Sequence, residues 1–128
     1  MSNTNWERVA VLAFGDFSAG ATTKTVAIHT PRENIELEDV MIERITDFSG
    51  GSTSSCTVQV GVAGSTAKYM AASDVFTGAK ATAARTLGSA TASVKPRDIV
   101  PAGTAINILM TGSHNLSTLT AGKIAVFV

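Results

Sequence analysis

Strict two-residue alternation is the feature that most limits how this chain can fold. In "TAINILMTG" Ile106, Ile108 and Met110 fall on one side of an extended backbone, and Ala105, Asn107 and Leu109 on the other. "CTVQVGV" sets Cys56, Val58 and Val60 against Thr57 and Gln59. "TTKTVAIH" sets Val26 and Ile28 against Thr25, Ala27 and His29, and "ERVAVLAF" sets Val9 and Val11 against Ala10, Leu12 and Phe14. "KIAVFV" reads as a closing strand. Between these runs stand "TPREN", "SGGSTSS", "KPRDIVPAG" and "SHNLSTLTAG", rich in the residues that turn a chain.

"IELEDVMIERITDF" reads two ways. Ile35 and Leu37 alternate with Glu36 and Glu38 as in a strand, whereas Leu37, Val40, Met41, Ile45 and Phe48 fall near one helical face. The strand reading, one long strand bulged at Glu38–Asp39, is taken here, with the helix as its alternative. "KYMA" reads as a short strand, and "ASDVFTGAKATAARTLGSATAS" as an irregular excursion from which Thr91–Lys95 could re-enter a sheet. No strand alternates with a long helix, so a parallel α/β fold is not expected. The sum is seven to eight strands in a single-domain antiparallel β-sandwich, jelly-roll-like, over 7–128, preceded by a polar arm over 1–6.

Composition narrows function. The chain has 128 residues, enough for one core, with ten basic and ten acidic groups. A zero net charge points away from nucleic acid and anionic membranes. Apolar runs such as "VAVLAF" are too short to span a bilayer, and "MSNTNWERVAVLAFGDF" lacks the basic start and long apolar core of a secretory signal. Charge is uneven along the chain: residues 1–63 carry four basic and eight acidic groups, residues 64–128 six and two. Six acids lie between Glu33 and Asp47. That asymmetry vanishes if the halves interleave in space, and offers complementary faces for assembly if they do not.

The chemical candidates are few. "VGVAGSTAKYM" has the ingredients of a phosphate loop, but a P-loop needs four residues between its glycines and Lys directly after the second. Gly61 and Gly64 are two residues apart and Lys68 comes four after Gly64, so the stretch reads as a turn between strands. His29 and His114 lack a set of partners for zinc; His29 is expected at the solvent and His114 in a loop. Glu36, Glu38, Asp39 and Glu43 are expected as solvated strand residues, with only Asp74 and Asp98 elsewhere to oppose them. Their spacing is not that of a calcium loop. Cys56, the single cysteine, opens an apolar strand and is expected as a buried thiol. Trp6 either plugs the core or anchors the arm on a partner.

"LEDVMIERITDFSGGSTSSCTVQVGVAGSTAKYMAASDVFTGAK" resembles a segment of small tailed-bacteriophage virion proteins: a long strand, "F-x-G-G", a strand ending "V-G", an "A-x-Y-x-A" element, then "D-V-x-x-G". "AINILMTGSHNLSTLTAGKIAVFV" is similar to their ending, and the likeness covers roughly residues 22–128. The resemblance implies a non-enzymatic capsid decoration (cement) protein on the outer head surface. It would be a homotrimer bound to the major capsid protein, made in the bacterial host cytoplasm and carried on the virion. It implies no cofactor, metal, nucleic acid, membrane or small-molecule ligand, and a structural role for Tyr69 beside Gly61. Asn5 and Trp6 of the arm are the expected interface residues. A tail, baseplate or fibre component is the nearest alternative, and a carbohydrate-binding sandwich module a more distant one.

Overall fold

A computed structural model describes residues 7–37, 40–76, 85–87 and 98–128. The strands are β1 (Arg8–Ala13), β2 (Thr23–His29), β3 (Ile35–Leu37), β4 (Met41–Ser49), β5 (Cys56–Val62), β6 (Ser65–Asp74), β7 (Arg85–Leu87), β8 (Asp98–Val100), β9 (Ile106–Gly112) and β10 (Ala121–Phe127). Single 3-10 turns cover Phe14–Phe17 and Leu116–Thr118. One four-stranded sheet has the order β1-β10-β4-β7, a second β2-β9-β5-β6, and β3 pairs with β8 in a two-stranded ribbon. Every strand pair is antiparallel. Eight strands wound so that each sheet alternates early and late segments form a jelly roll.

The alternation read from the sequence is the register of the core. Val58 stands opposite Met110 and Val60 opposite Ile108, all buried. In the first sheet Leu12 stands opposite Ile124, and Ala10 opposite Val126, which in turn faces Ile42. These side chains from both sheets join one cluster. Each fully buried aliphatic contributes about 1.5–3 kcal/mol. Both sheets draw on both halves of the sequence, so the strands of the first and second halves interleave.

Several expectations need correction. Within 35–48, Ile35–Leu37 and residues 41–48 are strand, not helix, but they are not one strand: β3 and β4 belong to different sheets. The proposed bulge at Glu38–Asp39 lies outside the described residues. A register shift occurs further on, where Ile124 faces Arg44 but Lys123 faces Thr46, and the extra residue leaves Ile45 51% exposed. Phe14 leaves the strand for a 3-10 turn, "KYMA" is the middle of ten-residue β6, and β7 and β8 form where an excursion and a link were expected. The proposed strand Thr91–Lys95 and the arm 1–6 lie outside the described residues.

Glycines set one tight turn and one close approach. The β5–β6 hairpin turns at Ala63–Gly64, where Gly64 has φ +85°. Gly122 in β10 has φ +140°, and a Cβ there would land on the Phe48 ring. Phe48 also meets Phe17 edge to face, with ring centroids 5.8 Å apart, and both are fully buried. Gly122→Ala is therefore expected to destabilise by roughly 2–4 kcal/mol through overpacking and left-handed strain. Gly20→Ala, where nothing lies within 4 Å of the new Cβ, should be near neutral. Urea unfolding of both variants measures the difference.

Candidate functional site

The chemical side chains do not converge. Among the described residues, no three His, Cys, Asp or Glu side chains gather where they could hold a metal ion. Glu36 is exposed on β3 and Glu43 half-buried on β4. His114 is exposed in the β9–β10 loop, as expected, whereas His29 is half-buried at the end of β2 rather than open to solvent. His29 borders an open hollow of about 420 Å³ formed by the following loop through Pro31, Arg32 and Ile35. That loop is pinned by Gly103 N–H donating to the Pro31 carbonyl (2.9 Å) and Ala102 N–H donating to Asn34 Oδ1 (2.9 Å).

Arg44 stands opposite core residue Ile124, an unusual place for a charge. It lies where the two sheets diverge, pairs with Asp47 (Nε to Oδ1, 3.0 Å) and donates to the Asp74 carbonyl of the other sheet at 3.5 Å. Asp74 in turn accepts from Phe76 N–H at 3.0 Å. Tyr69 is buried in the core. A Cβ on Gly61 would meet the backbone of Ser65 and Thr66 across the β5–β6 hairpin, so Gly61 and Gly64 serve that hairpin.

Cys56 is buried at the start of β5, as expected. Burial, helped by the nearby Asp74 carboxylate, pushes its thiol up from the ordinary 9.0 to about 11. The neutral thiol is a poor nucleophile at physiological pH.

One end of the sandwich is built differently from the other. There the loop after β1, the β4–β5 loop and the β9–β10 loop are stitched together. Leu116 N–H donates to the Ala21 carbonyl (2.9 Å) and Ser117 N–H to that of Ala19 (2.8 Å). Ser54 N–H donates to Ser113 Oγ (2.7 Å), and Ser113 N–H to the Ser55 carbonyl (3.1 Å). Thr118 Oγ1 donates to the Asn115 carbonyl (2.8 Å), which leaves Thr53 Oγ1 to donate to Thr118 Oγ1 (3.1 Å). Gly51, with φ +55°, has no room for a Cβ beside Thr118. Phe14, 37% exposed, stands at this end. Asn5 and Trp6 lie outside the described residues, so their expected contact is neither brought together with this end nor separated from it.

Against known proteins, no family model, no curated protein and no solved structure matches this chain.

A raised thiol pKa makes folding favour the protonated form. Its contribution is complete below the unfolded value of 9.0 and is lost as pH rises through about 11. Wild type should therefore lose more stability than Cys56→Ala between about pH 9 and about pH 11 in denaturant titrations. Folded wild type should also resist a thiol reagent that labels it once unfolded.

Proposed function

We propose that this chain is a non-enzymatic structural protein of a tailed-phage virion, a capsid decoration protein that binds the outer head surface and stabilises the shell. The observation that carries the reading is the jelly-roll strand order, an architecture that recurs in viral capsid domains as a rigid double sheet presenting loops at its two ends. The tied loops add to it. Hydroxyls that could serve as nucleophiles are spent on holding loops to one another, and the one thiol is buried and protonated. Such a domain acts through its surface. The partners are the major capsid protein and further copies of this chain, with a homotrimer the assembly the resemblance implies.

The arm over 1–6, with Asn5 and Trp6 as its contact residues, reaches a neighbouring subunit or the shell. Glu7 is where the fold takes hold: its N–H donates to the Val128 carbonyl and Val128 N–H donates back to its own, both at 2.9 Å. Deleting 1–6 leaves that ladder whole.

Antibody-gold labelling of virions should mark the head surface. Label confined to the tail would favour the tail or baseplate reading, and unlabelled particles would remove the virion reading. Deleting 1–6 should weaken head binding while the unfolding midpoint stays unchanged; undiminished binding takes the arm out of the mechanism.

A further inference from the structure

We draw no further inference here: the strongest candidate, the uncharged surface patch that Thr57, Thr111 and Thr23 make with Gln59, Leu109 and Thr25 on the outer side of β5, β9 and β2, carries nothing because nothing in the structure shows what covers it.

Discussion

The Phe48 ring lying flat against the backbone at Gly122 is the contact on which the rest of this structure depends. Neighbouring strands are spaced by their backbone hydrogen bonds, and their side chains stand beside one another over each face of the sheet. Here β10 gives up a side chain so that an aromatic from β4, the strand beside it, can fill the space. The same ring meets Phe17 from the turn after β1, and its own backbone N–H donates to the Val75 carbonyl at the end of β6 (2.9 Å). Four segments distant in sequence are therefore fixed by one residue, just beneath the stitched loops. A buried phenylalanine is worth about 3–5 kcal/mol against alanine, a large share of a small domain's stability.

The loops above it add Leu116 and Leu119 to the same core, and elsewhere use serine, threonine and glycine, whose small side chains let backbones approach and satisfy one another's donors and acceptors. The other end is closed by a different device, the β3–β8 ribbon and the pinned Pro31 loop, and keeps ordinary solvated charges. The two ends thus differ in chemistry because they are sealed differently, and that difference gives the molecule a direction.

The inward sides of β5 and β9 were legible because each strand's burial follows its own two-residue period. The break between β3 and β4 was not. β3 exists by pairing with β8, more than sixty residues later, and no local pattern records a partner so far away. β7 was equally hidden, since "RTL" has no alternation and becomes a strand only beside Met41–Glu43. Phe14 continues the β1 alternation, yet the chain must turn there to bring Phe17 into the core, and Phe14 is left outside. The same non-local logic kept the stitched end out of view. "SGGSTSS" and "SHNLSTLT" read as two separate polar loops until the fold joins them.

By itself the sequence determined the antiparallel sandwich, the buried thiol and the hairpin at Gly61–Gly64, because periodicity, burial preference and turn chemistry act over neighbouring residues. Only the tertiary structure decided the strand order, the interleaving of the two halves of the chain in both sheets, and the joining of the β1–β2, β4–β5 and β9–β10 loops at one end. Those follow from pairings between strands far apart in the chain, and such pairings are selected by the packing of the whole core.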